Sequence, residues 1–437
     1  MIHIVGAGLA GLSTAYHLKG LPYRLHEKES EVGGLCRSYT KEGFTFDMTG
    51  HLLHFRQPEI KSLVEGLLAG RLTRHGRRSY IYSHETYTEY PFQVNTHGLP
   101  PEVVRDCLLG FIATLSAKAE AADGERSLQQ WILSNLGEGI AKHFMVPFNE
   151  KLWQVRLDEL TADWVSWLVP KPDIKDVVNG ALGIKDKAFG YNPSFLYPTN
   201  GGIRILPEAF VPFIENLSLG EELVEIHTGR RRALFRKGQD CREESYDSLV
   251  STIPVTELVK RCVDLPPAVK EAAASLRWVS VYSVNVGVAR AGITDKHWIY
   301  FPEPEYPFYR AGFPMNFSPE LGRPGCSSLY VEMSHRPTVL LPEAELLRQV
   351  RGGLERAGVL RATDAFVVQD VKDIQYAYVL FDRHRARVLP GILGELERRG
   401  IYSIGRYGRW EHTSMEDAIG QGKQTAGRLM ERWSRAA

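Results

Sequence analysis

The chain has 437 residues, 43% hydrophobic and 24% charged, with 53 Lys and Arg against 52 Asp and Glu and a formal net charge of +1. It can bury a substantial core, which excludes an intrinsically disordered chain, and its length allows one to three structural units. The charge balance gives no electrostatic case for nucleic acid or an anionic membrane as partner, and the short run Arg230-Arg231-Arg232 reads as a solvated turn.

Residues Ile2 to Val5 are a short apolar run, as expected of a buried parallel strand. Gly6-Ala7-Gly8-Leu9-Ala10-Gly11 follows at once, and Leu12 to Lys19 reads as a helix ending near Gly20 and Pro22. Tyr23 to Glu27 is a second strand and closes a βαβ unit. In such a unit Gly6 allows the tight turn, Gly8 lets backbone N–H groups approach a pyrophosphate, and Gly11 lets helix and strand pack closely. Glu27 lies where a carboxylate would hold adenosine ribose hydroxyls. A lone glycine motif is weak; strand, helix and acid in register make this a dinucleotide site. A second glycine pair, Gly33-Gly34, is followed by Arg37, a cation near the diphosphate. That extra loop resembles the extended FAD fingerprint of amine-oxidase-like flavoproteins, which implies FAD rather than NAD.

Further on, Pro100 to Leu136 has helical spacing, and Lys142 to about Val178 is a second helical block rich in tryptophan. Leu223 to Ile253 alternates, with turn signals at Gly229 and Gly238, so it predicts strands and a hairpin. Trp278 to Val288 and Cys326 to Met333 read as strands, Leu341 to Ala357 and Asp417 to Trp433 as helices. The expected organisation is α/β. A discontinuous Rossmann-like FAD-binding domain takes residues 1–95, 200–255 and 395–437, a helical insertion residues 96–190, and an antiparallel β-sheet substrate domain residues 256–394. No apolar run reaches the roughly 20 residues that span a bilayer. The five cysteines have no C-x-x-C spacing. A cytoplasmic protein without a metal site is expected, its oligomeric state open.

Several segments, in order along nearly the whole chain, resemble the UDP-galactopyranose mutases of the amine oxidase and protoporphyrinogen oxidase superfamily. They are residues 33–55, with the pair Gly50-His51; Phe144 to Trp153, with Asn149, Lys151 and Trp153; Asp295 to Pro319, with Tyr309 and Arg310; and Gly405 to Ile419, with Gly405, Arg406 and His412. The resemblance implies that Gly50, His51, Gly405 and Arg406 lie at the flavin, and that Arg310 binds a substrate diphosphate. It implies substrate contacts at Trp153, Trp167, Tyr309, Tyr378 and His412. In the mutases the reduced flavin N5 attacks the anomeric carbon and the resulting adduct recloses as the other ring size, with NAD(P)H serving only as external reductant. Two positions depart from the family: Leu168 stands where a second diphosphate arginine is expected, and His412 where bacterial mutases have a tyrosine.

Plainer readings stand beside these. His51 could cap a turn, His54 reads as structural, two of Trp153, Trp164 and Trp167 read as core, and Arg310 could be a surface residue. Tyr376 and Tyr378 sit two apart on a strand and share a face. Tyr197 with Gly201-Gly202 reads as structural support beside the site. Three functions remain open: an isomerase acting on a nucleotide diphosphate-sugar, an oxidoreductase of the amine oxidase or protoporphyrinogen oxidase type, and a non-catalytic FAD-binding protein.

Overall fold

The computed structural model describes residues 1–116, 126–165, 169, 171–185 and 193–436. Ile2–Val5, buried at every position, lies central in a five-stranded parallel sheet. The strand order is Ile401–Ser403, Ser248–Ser251, Ile2–Val5, Tyr23–Glu27 and Leu217–Leu219. Residues from both ends of the chain therefore complete one parallel sheet. The first helix runs Leu9–His17, three residues earlier than its apolar spacing suggests, because the glycine motif itself enters the helix. The long C-terminal helix Met415–Ala436 packs on it, close enough that a Cβ on Gly422 would meet Ala10 O at 2.5 Å.

The larger sheet has seven strands, in the order Phe366–Val379, Trp278–Val288, Ser327–His335, Arg310–Gly312, Trp298–Tyr300, Ser79–Ser83 and Thr86–Glu89. Trp278–Val288 is buried almost throughout, and its alternate valines suit a strand covered on both faces. Ser79–Ser83 and Thr86–Glu89 fall within the 1–95 stretch expected in the FAD-binding domain; they join this sheet instead, through parallel pairing with Trp298–Tyr300. The physical reason is that Ile81 is fully buried and fills the core beside that strand, a tertiary match that composition does not encode.

The expected helical block at 100–136 is two helices, Pro101–Ser116 and Leu128–Ile140. The second starts at a capping box in which Ser127 and Gln130 exchange side chain-to-backbone hydrogen bonds. A five-residue π turn, Ala141–Met145, leads into Val146–Trp153. Strands Glu221–His227, Arg232–Lys237 and Asp240–Ser245 form the antiparallel sheet anticipated between 223 and 253. Among the described residues no helix is long and apolar enough to cross a membrane.

Candidate active site

At the N-terminal cradle the glycines have separate steric roles. Gly6 has φ +95°, a left-handed conformation that favours glycine, and a Cβ there would lie 2.3 Å from Thr252 Oγ1. A Cβ on Gly11 would lie 2.0 Å from Gly6 O, so helix and strand can approach only at a glycine. A Cβ on Gly8 would meet nothing within 4 Å. Gly8 caps the helix without a side-chain bond, and the first turn carries no acid, so the end of the helix presents free N–H groups and partial positive charge.

The second glycine pair is joined to the first: Gly33 N donates to Ala7 O at 2.8 Å, and a Cβ on Gly34 would lie 3.5 Å from Gly8 Cα. Glu27 is buried, and its two carboxylate oxygens accept from Ala7 N at 2.7 Å and Glu29 N at 3.0 Å. Each oxygen keeps a lone pair for a ribose hydroxyl. Arg37 donates to Gly34 O at 2.8 Å and pairs with Glu31 at 3.3 Å, so it braces the loop and is not a free cation.

A cavity of about 640 Å³ opens between the helical block and the seven-stranded sheet. Its walls bring together Trp153, Tyr309, Arg310, Tyr378, Arg406 and His412, which lie far apart in sequence. Trp167 and Leu168 lie outside the described residues. Trp153 and Trp164 are both buried and both face the cavity, so core and lining are the same residues here. Their indole N–H groups are spent inside the protein, on Asn149 Oδ1 at 3.1 Å and Thr161 O at 2.8 Å. The Tyr309 and Tyr378 hydroxyls lie 3.3 Å apart. Tyr376 turns elsewhere: it donates to Glu257 at 3.0 Å and packs on Trp278 and Trp410.

Arg310 is not a surface arginine. Its Nε donates to one Glu332 oxygen at 2.7 Å and its Nη2 to the other at 2.8 Å. Glu332 is 0% exposed and also accepts from Thr49 Oγ1 and, at 3.4 Å, from Gly50 N. Burial raises the Glu332 carboxyl, but the Arg310 guanidinium outweighs it and holds it below the ordinary carboxylate range. The charge of Arg310 is matched by Glu332, and only the Nη1 side of the fork carries no bond to that carboxylate.

His51 does not line the large cavity. It lies behind it, in a small cavity with Asp47, Gly50, Tyr197 and Tyr330, while the following residues Leu53 to Arg56 reach the large one. Its Nδ1 donates to Thr49 O at 2.9 Å, and burial outweighs the Asp47 carboxylate to hold the imidazole neutral, below its ordinary pKa. Gly50 is a close approach, since a Cβ would lie 2.3 Å from Tyr330 Oη. Asp47 accepts from Ser38 Oγ at 2.6 Å, Tyr197 Oη at 2.7 Å and Ile203 N at 3.0 Å, which ties the Tyr197 loop to the His51 segment.

Gly405 donates its N–H to Gln421 Oε1 at 2.7 Å and opens a one-turn helix that projects Arg406 into the cavity. Arg406 donates to Thr413 O at 2.9 Å and Ala377 O at 3.3 Å, and lies over the Tyr378 ring at 5.6 Å. No carboxylate pairs with it among the described residues. His412 stacks on Phe381 with centroids 4.7 Å apart and meets Trp153 and Trp164 at 5.1 and 5.3 Å. Burial, then the charges of Arg406 and Arg385, hold it neutral, and its Nε2 has no hydrogen-bond partner.

Glu332 and Asp47 were missed in the sequence. Each stands singly in its strand, and only the acid in Phe44–Asp47, whose burial alternates, carried a weak signal.

The cradle fits FAD: an uncapped helix end, an open approach at Gly8, and a buried carboxylate at the end of the second strand. A profile described as flavin containing amine oxidoreductase matches residues 9–430. The crystal structure of reduced UDP-galactopyranose mutase is 26% identical and superimposes with a TM-score of 0.91, covering 98% of this chain and 95% of that one. Cyclohexylamine oxidase from Brevibacterium oxydans shares the fold at 12% identity, TM-score 0.67, with 99% of each chain covered. Protoporphyrinogen oxidase 2 of Arabidopsis thaliana is 26% identical over 34% of this chain, and coproporphyrinogen III oxidase of Staphylococcus aureus 24% over 43%. The aligned segments span 31% and 41% of those two proteins. With the profile running from the helix above Gly8 to the C-terminal helix, this chain belongs to the flavin containing amine oxidoreductase family and is built like a UDP-galactopyranose mutase.

Proposed function

We propose that the protein is an FAD-dependent isomerase that interconverts ring forms of a nucleotide diphosphate-sugar. The observation that carries this reading is the charge of the cavity wall. It includes Arg56, Lys61, Arg74, Arg310 and Arg406, and no Asp or Glu among the described lining residues; Arg56, Lys61 and Arg310 are paired with carboxylates outside the lining, so Arg74 and Arg406, which have no carboxylate partner among the described residues, carry its net charge. An amine, cationic at neutral pH, would meet like charge there, whereas a diphosphate would meet complementary charge. Similarity over the whole length to a mutase, at 26% identity, supports the same substrate class.

Gly6, Gly8, Gly11, Glu27 and the Gly33-Gly34 loop would hold FAD, with Gly50, His51, Gly405 and Arg406 toward its ring. Bound FAD supplies a ring that, once reduced by an external NAD(P)H, offers a nucleophilic nitrogen to a sugar carbon. The chain's own residues orient and exclude water. Arg310, fixed by Glu332, presents its remaining N–H groups to a phosphate, and Tyr309 and Tyr378 present hydroxyls beside it. Trp153, Trp164 and Phe148 supply apolar walls that keep the site dry. His412, neutral, adds its ring to those walls.

A second reading is an oxidase acting on a carboxylated porphyrinogen. The aromatic wall and the segmental similarity to coproporphyrinogen III oxidases favour it, and such a substrate is anionic too. The experiment is anaerobic titration of dithionite-reduced protein with a panel of nucleotide diphosphate-sugars, followed by chromatography of the sugar product. Saturable binding with conversion between ring forms, and no net consumption of reductant, is expected. Absence of nucleotide-sugar binding, together with oxygen uptake on coproporphyrinogen, would overturn the isomerase in favour of the oxidase.

A further inference from the structure

Lys151 belongs to the Val146–Trp153 helix and does not line the large cavity. Its ammonium crosses to the loop between the Trp298–Tyr300 and Arg310–Gly312 strands. There it donates to Phe301 O at 2.7 Å, Glu303 O at 2.5 Å and Phe308 O at 3.4 Å. Phe301 and Phe308 are the two ends of that loop, and the next residues are Tyr309 and Arg310.

The loop is short of donors. Pro302, Pro304 and Pro307 have no backbone N–H, so the loop can bond few of its own carbonyls, Glu303 O accepting from Tyr306 N at 3.2 Å. An ammonium has three N–H donors on one atom, and here all three are used, on carbonyls from both ends of the loop. The rest of the loop is held from outside: Glu303 accepts from Ser83 Oγ at 2.6 Å and His84 N at 2.8 Å, and Arg356 donates to Glu305 O at 2.7 Å.

We propose that Lys151 is a positioning residue: by pinning both ends of the 301–308 loop it fixes where Tyr309 and Arg310 meet the substrate. This rests on the nucleotide-sugar reading of the cavity only for what Tyr309 and Arg310 bind; the pin itself does not depend on it. The ammonium is poised to titrate, because burial, opposed by Glu303 and Glu305, pushes its pKa down to about 7. The other charged groups around the loop are His84, 3.5 Å from Glu303, and Arg356. Loss of the proton leaves two donors for three carbonyls, so the loop slackens as pH rises through 7.

The test uses FAD-loaded protein without nucleotide. Phe301 N–H donates to Tyr309 O at 3.0 Å and Tyr309 N–H to Glu332 O at 3.1 Å, so both amides report on the loop by hydrogen exchange. In Lys151→Met their protection should fall at least tenfold, with Ile4 and Leu25 in the parallel sheet unchanged. UDP affinity at pH 6.5 should fall about tenfold. In the wild type the same two protection factors should fall between pH 6 and pH 8.5, and in Lys151→Met they should not. Wild-type protection in Lys151→Met overturns the proposal. If that variant does not fold, Lys151→Gln, which offers fewer donors, is read in the same way, and wild-type protection there overturns the proposal. Lost protection in a protein that never binds UDP leaves the pin standing and sinks the mutase reading instead.

Discussion

Replacing Glu332 by glutamine removes one negative charge and almost no volume at a side chain that is 0% exposed, beside an Arg310 that is 21% exposed to the cavity. Arg310 then keeps its charge without the carboxylate that now accepts at 2.7 and 2.8 Å. Opposite charges about 4 Å apart at an effective dielectric near 20 attract by about 4 kcal/mol, and deleting one partner of a buried pair costs about 3–5 kcal/mol. At about 2.1 cal/mol/K per residue, unfolding this chain has an entropy of about 0.9 kcal/mol/K. Glu332→Gln should therefore lower Tm by about 3–5 °C, read by scanning calorimetry of the FAD-loaded protein. The freed guanidinium should bind a diphosphate more tightly, so saturating UDP should raise Tm more in the variant than in the wild type. The double variant Arg310→Met, Glu332→Leu should regain most of the lost stability, because it buries no unpaired charge, and should not bind UDP. A Glu332→Gln Tm within 1 °C of wild type, or a double variant less stable than either single one, would refute the description of a dry, paired site.

Three further outcomes follow from the site. Gly8→Asp should fold normally, since a Cβ there meets nothing within 4 Å, yet purify without FAD because its carboxylate faces the pyrophosphate; full FAD occupancy in that variant would misplace the cofactor. His51→Ala should shift the flavin absorbance spectrum; a spectrum superimposable on the wild type would remove His51 from the flavin contacts. His297 is buried, and burial followed by the charge of Arg78 pushes its pKa down to about 4 from an ordinary 6.5. The fold favours the neutral ring, so its stability is intact above pH 6.5 and is lost as pH falls from 6.5 toward 4. At pH 5 that amounts to about 2 kcal/mol, or about 2 °C, by the same linkage and entropy. His297→Gln should remove that share of the Tm difference between pH 7 and pH 5; an unchanged difference would show that His297 is not the group responsible.

The sequence alone determined the cofactor half of the protein. Gly6, Gly11 and Glu27 are readable because they act within one βαβ unit of about 27 residues, where local spacing and contact coincide. The same holds for the Trp278–Val288 strand and the C-terminal helix, whose patterns repeat over ten or more residues. The substrate half was legible only as a set of segments resembling a family, since nothing in the local pattern states that Trp153, Arg310, Tyr378 and Arg406 share a cavity. Tertiary structure decided three things. It gave Arg310 a buried counter-ion 22 positions away, it moved His51 behind the cavity wall, and it turned Lys151 from a family mark into the pin of a proline-rich loop. Each depends on a single side chain meeting another element. Burial sets the strength and even the charge of that encounter, and burial is a property of the folded neighbourhood that no residue carries in its own name.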